Sequence, residues 1–202
     1  MLTRSSLLRD PLPMLIRFAV AAGLLFLLRE DISRLYLAVM VPIVNAIFRL
    51  EGLAVEFIRQ RHVLQLVYPD LGFRFTVHDI IYQNLMVGVA LFAATPGQSI
   101  RWKARWIGIV LGLLSLTHLA SLYLGGHVIV WDYVAALPDG ERAQVARQVL
   151  EVFPRDRDWL YSHLFGLWHT WGRPTLALVV WLYAARDYLF LPGDGRAAAA
   201  AR

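Results

Sequence analysis

The segment "WIGIVLGLLSLTHLASLYLGG" (Trp106 to Gly126) runs from end to end without an Asp, Glu, Lys or Arg. A charge-free apolar run of this length matches the roughly 20 residues that a helix needs to cross a bilayer. Buried in a soluble core, it would need apolar neighbours on every side. Composition decides between the two settings. Of 202 residues, 58% are hydrophobic and only 17% charged, against roughly 45–50% and 25% in ordinary soluble domains. Lipid must cover part of this surface, so the chain reads as an integral membrane protein.

The charge pattern gives an orientation. The net charge is +5, and all but one of the 20 basic residues are arginine, Lys103 being the exception. These arginines flank apolar runs and do not cluster, which points to lipid headgroups and away from nucleic acid. The short loop "RWKAR" (Arg101 to Arg105) is the strongest positive-inside signal and is assigned to the cytoplasm. There is no cysteine, which excludes thiol catalysis, thiolate metal ligation and disulfides.

The expected fold is an all-α polytopic membrane protein with about four to five transmembrane helices. Residues 1–196 form a single integral membrane domain, followed by a disordered tail over 197–202. Spans are expected at about 14–28, 79–95, 106–125 and 160–189. A further run at 35–50, interrupted by Pro42, either spans or lies in the interface, which leaves the side of the N-terminus open. The first apolar run is followed by "REDISR" and not by a small-residue cleavage site, so it reads as an uncleaved anchor. Residues 51–78 alternate, with a Pro-Asp-Leu-Gly turn at 69–72, and predict a small β-hairpin-like extracytoplasmic cap. An outer insertion over 126–158 contains an amphipathic surface helix. Asp139 is its expected N-cap and Pro154 its stop, and Val145, Val149, Val152 and Phe153 share the face laid on the membrane. The last span is expected to break or tilt at "WGRP".

Histidines supply the candidate chemistry. His78 and Asp79 stand at the mouth of the span that follows the cap, and Asp79 is placed to cap that helix. His118 and His169 lie at comparable depth on different spans, a placement suited to axial ligation of a b-type haem. His163 with His78 and Asp79, or with His118 and His169, is a divalent-metal alternative. The plainest reading is that these are interfacial side chains with an apolar body and a polar tip; on that reading no cofactor is expected. Ser121 has no Gly-x-Ser-x-Gly elbow around it and reads as a small packing residue. Gly108 and Gly112, four apart, offer a face on which another helix can approach closely.

The order of segments resembles the exosortase/archaeosortase superfamily of membrane-embedded transpeptidases. The matching stretches are "VEFIRQRHVLQLVYPDLGFRFTVHDIIYQNLMVGVALFAATP", "SIRWKARWIGIVLGLLSLTHLASLYLGG" and "HLFGLWHTWGRPTLALVVWL". The resemblance implies a nucleophilic Cys where His78 or Asp79 stands, an Arg-bearing motif where "THLASLY" stands with Ser121, and a His at His169 or His163. The scaffold is similar but the catalytic set is missing, which resembles the exosortase H-associated membrane protein family. That implies a non-catalytic accessory protein of the bacterial inner membrane, multi-pass, whose partners are an exosortase-type enzyme or its substrates.

Overall fold

The structure, a computed structural model, describes residues 11–60, 63–77, 83–153 and 158–189. It is mostly helical. The elements run α1 (Leu12–Leu27), α2 (Arg29–Leu50), β1 (Glu56–Gln60), β2 (Val63–Tyr68), a 3-10 turn (Pro69–Leu71) and β3 (Phe73–Val77). Then follow α3 (Gln83–Ala94), α4 (Ile100–Ala136), α5 (Asp139–Val152), α6 (Asp158–Leu167), a π-helical turn (Trp168–Gly172) and α7 (Arg173–Leu189). Two compact units divide the chain. One comprises Met1–Arg29, Gln83–Leu114 and Pro174–Arg202; the other comprises Glu30–Tyr82 and Ser115–Arg173.

Among the described residues, two helices are long and apolar enough to cross a membrane, not four or five. They are α2, with mean hydropathy 1.5, and α4, with mean hydropathy 1.9. Leu12–Leu27, Gln83–Ala94 and Thr175–Arg186 are apolar but shorter. The helix extends further than expected, because α4 continues without a break past Asp132 to Ala136. At 37 residues it is about 55 Å long, well beyond the ~30 Å hydrocarbon core. The expected outer insertion therefore begins as helix and not as loop.

In the first unit α1 packs against α3. A Cβ on Gly88 would lie 3.5 Å from Val110 and 3.6 Å from Ala177, so α3, α4 and α7 meet closely there. Thr95 closes the end of α3: its hydroxyl donates to the Leu91 carbonyl at 2.8 Å and accepts the Trp181 indole N–H at 2.9 Å. Lys103, the single lysine, donates to the Ala93 carbonyl at 2.7 Å. A cation on the last carbonyls of a helix also opposes the negative end of its dipole.

The cap belongs to the second unit and has three strands where a hairpin was expected. The antiparallel order is β1-β2-β3, with Phe57 opposite Leu66 and Leu66 opposite Phe75. The Pro69–Leu71 turn closes on Gly72 at φ +69, a left-handed conformation that glycine adopts without a Cβ penalty. In β3, Phe73, Phe75 and Val77 face inward while Arg74 and Thr76 are exposed, as the alternation required.

The inner face of the sheet is covered by α2. Leu37, Met40, Val44 and Phe48, spaced three and four apart, form one helical stripe buried with Phe57, Leu64, Leu66 and Tyr68. Leu35, Val39 and Ile43, on the other side of α2, remain exposed. The amphipathic helix α5 is also present, but Val149 and Phe153 enter this protein core and do not rest on a membrane surface. Its N-cap is Pro138, with no side-chain hydrogen bond. Asp139 instead pairs with Arg142 at 3.0 Å across the first turn. Pro154 lies outside the described residues.

Tyr68 ties the sheet to α4 by donating its hydroxyl to the Gly126 carbonyl. Burial pushes this phenol well above its usual range near 10. The folded state thus holds the proton more tightly than the unfolded chain. Its contribution is complete below about pH 10, the unfolded value, and is lost as pH rises beyond it. Tyr68→Phe is expected to flatten the alkaline fall in stability above pH 10. It should also cost about 1–3 kcal/mol at neutral pH by orphaning the carbonyl. Unfolding followed by tryptophan fluorescence across pH 7–11 measures both.

Candidate functional site

Five positions singled out from the sequence fall in the second unit or lie outside the described residues. His78 and Asp79 are outside them. The other three are His118, His163 and His169, and the structure gives each a definite set of contacts.

His118 is almost fully buried, and its Nδ1 shares a hydrogen bond of 2.8 Å with the Tyr36 hydroxyl of α2. The two rings meet edge to face at 5.8 Å. His163 is exposed on α6. Its Nδ1–H donates to the Trp159 carbonyl at 2.7 Å, one turn back, and its ring lies 4.5 Å from the Trp159 indole. It lines a shallow groove of about 420 Å³ with Ser162, Gly166, Leu167, Thr170 and Trp171. His169 sits in the π turn, with Nε2 3.2 Å from the Ser121 Oγ of α4 and its ring 4.2 Å from Phe165. A haem or metal reading needs these rings to converge. Among the described residues no three His, Asp or Glu side chains gather closely enough to hold a metal ion.

The pairing of Ser121 with His169 is the contact that brings two sequence-selected residues together. Ser121 is buried, and it lines a cavity of about 350 Å³ between α4 and the α6–π segment. Thr117, Ala120, Leu124, Leu164, Leu167, Trp168 and Gly172 complete the wall. The π turn shapes this wall. A π turn inserts one extra residue into a helical coil and is frequent at functional sites. Here it falls just before Pro174, whose missing N–H breaks the regular hydrogen-bond ladder. Gly172 leaves room within it for the Trp168 ring, which a Cβ there would displace. The expected interruption at "WGRP" is thus a π turn followed by α7.

Sequence reasoning missed a second polar cluster. The Tyr123 hydroxyl donates to Glu51 Oε1 at 2.7 Å, and His127 Nε2 lies 3.6 Å from Glu51 Oε2. Tyr161 from α6 stacks edge-on to both rings, at 6.2 Å and 5.1 Å. Glu51 follows the last residue of α2 and precedes Gly52 at φ +74. The cluster therefore fastens the α2–β1 turn to α4 and α6. Tyr123 and His127 stand one turn apart, the only trace of it in the sequence.

Gly108 and Gly112 face open space: nothing lies within 4 Å of a Cβ built on either. The glycines of α4 that do permit close approach are Gly125, against Phe165, and Gly126, where a Cβ would run into the Phe48 ring. No protein-family model matches the chain, and neither a curated protein nor a solved structure is significantly similar to it.

Proposed function

We propose that this chain is a multi-pass protein of the bacterial inner membrane that works by docking and not by bond breaking, as an accessory of an exosortase-type protein-sorting system. α4 is the principal span, with the shorter apolar helices α1, α3 and α7 inserted beside it. The single observation that carries the docking role is the open Gly108–Gly112 face of α4. That face belongs to a helix whose apolar window is only 28% buried. In lipid, small residues let helix backbones approach and gain van der Waals contact. The absence of cysteine supports binding over transpeptidation, since the resemblance places a thiol nucleophile at a position held here by His78 or Asp79.

Purifying the tagged chain from its native membranes tests the role. An exosortase-type enzyme or a sorting substrate is expected to co-purify, and Gly108→Leu with Gly112→Leu should reduce that recovery. Cleavage of a C-terminal sorting peptide by the purified chain alone, abolished by His169→Ala, would contradict the reading. The visible spectrum is expected to lack a Soret band. A band that disappeared in both His118→Ala and His169→Ala would replace docking with haem binding.

A further inference from the structure

We propose that one end of the first unit is a docking surface for anionic phospholipids of the cytoplasmic leaflet, their phosphates held by arginines from three helices. The N-terminus then lies on the cytoplasmic side. The inference rests on the membrane reading above and adds to it a lipid class and the side that the sequence left open.

Backbone directions bring the cations together. α3 ends at Ala94 and α4 starts at Ile100, so the chain turns back on itself there. α7 reaches the same end: Trp181 bonds Thr95, and the Tyr183 ring lies 6.1 Å from that of Trp106. The first half of α1 reaches it too, because Arg17 stands close enough to Lys103 for the two charges to interact. Lys103 itself is fastened to the Ala93 carbonyl. Arg17, Arg101, Lys103, Arg105 and Arg186 therefore share one end of the unit. Among the described residues of this unit the sequence holds a single acidic one, Asp187.

What lies one turn inward selects a lipid. On α1, Arg17 is followed by Val20 and Leu24. On α4, Arg105 is followed by Ile109 and Leu113. On α7, which runs the other way, Arg186 is preceded by Leu182 and Leu178. Each set is spaced three or four residues apart and so forms one stripe along its helix. Every member is exposed. An acidic protein would meet the cations alone, whereas a phospholipid meets the whole stripe, phosphate first and hydrocarbon after. Depth agrees with this order. Gly88, Val110 and Ala177 meet in one layer. At ~1.5 Å per residue, Arg105 and Arg186 lie about 8 and 14 Å from that layer, toward the basic end. With the layer near mid-membrane, ~15 Å of hydrocarbon separates it from the headgroups, and the long arginine stems cover the remainder. Phe92, Trp102, Trp106 and Tyr183 pack at the same level, where aromatic side chains gather at a membrane interface. Five cations match an anionic headgroup, and an excess of Lys and Arg marks the cytoplasmic side.

Two measurements on the full chain test this. For the lipid, the purified protein in detergent is titrated with phosphatidylglycerol or with phosphatidylethanolamine, and bound lipid is counted by native mass spectrometry. Phosphatidylglycerol should bind more tightly. Arg17→Gln with Arg186→Gln, both at exposed positions, should weaken its binding about 25-fold, at roughly fivefold per cation near a membrane surface. Arg29→Gln, beyond the far end of α1, should leave it unchanged. For the side, the chain has no cysteine, so single cysteines can be placed and treated with a membrane-impermeant maleimide on intact spheroplasts. Gln144→Cys should label at once, while Ser5→Cys and Gln98→Cys should label only after lysis. Equal binding of the two lipids, or no effect of the double variant, would overturn the inference, as would labelling of Ser5→Cys before lysis. Recovery of the chain in the soluble fraction, or protection of Gln144→Cys before lysis, would instead overturn the membrane reading beneath it.

Discussion

Phe48→Ala is expected to destabilise the second unit by about 3–5 kcal/mol, the range for a large aromatic removed from a packed core. Phe48 has no exposed surface. Its ring stacks on Phe57 at 6.3 Å and on Tyr123 at 5.6 Å, and lies 5.9 Å from the His127 ring. Its outer edge fills the space that Gly126 leaves by lacking a side chain. One residue of α2 therefore touches the sheet and α4 together, and truncation opens a cavity that no single neighbour can close. Trp131 belongs to the same buried cluster, so its fluorescence reports the change during denaturant unfolding in detergent micelles. Phe48→Leu should recover more than half of the loss. A cost below about 1 kcal/mol for the alanine variant would mean that this core does not hold the unit together.

Asn45→Leu should cost nearly as much, by about 2–5 kcal/mol, though it removes no apolar contact. β1 is an edge strand, and an edge presents unpaired backbone groups. Asn45 meets both groups of Phe57: its amide nitrogen donates to the carbonyl at 3.0 Å, and its carbonyl oxygen accepts the N–H at 2.8 Å. The side chain thus takes the place of a missing neighbour strand. Leucine, similar in size, would leave both groups without partners at about 1–3 kcal/mol each. Amide hydrogen exchange at Phe57 provides the local readout and should accelerate ahead of the rest of the sheet. Asn45→Asp keeps the acceptor alone and should fall between the two. If Asn45→Leu left Phe57 exchange unchanged, the bidentate contact would not be protecting the edge.

The sequence reading succeeded where one local pattern governs the backbone. The charge-free run of α4, the alternation of Phe73 to Val77 and the apolar stripe of α5 are all of this kind. It failed where the meaning of a residue depends on a distant partner. Gly125 and Gly126 looked like the end of a span. They interrupt nothing, because their missing side chains make room for Phe165 and Phe48 and α4 runs past them. The third strand was missed because the sequence between β1 and β2, "RH" at 61–62, carries no Asn-Gly or Gly-rich turn signal. The α5 stripe was legible, but what it faces was not, since periodicity marks an apolar side without naming its solvent. Ser121 and His169 are 48 residues apart, and no spacing rule brings such a pair together.

The π turn at Trp168–Gly172 holds one residue more than an α-helical turn. It absorbs that residue locally, so the coil carries a surplus of chain at one place. Trp168, His169 and Gly172, which stand beside Ser121, all belong to it. Deleting one residue between Trp168 and Gly172 would let the segment relax to a regular α-helical turn. The loss would then fall on the wall beside Ser121 and not on the helix that carries it.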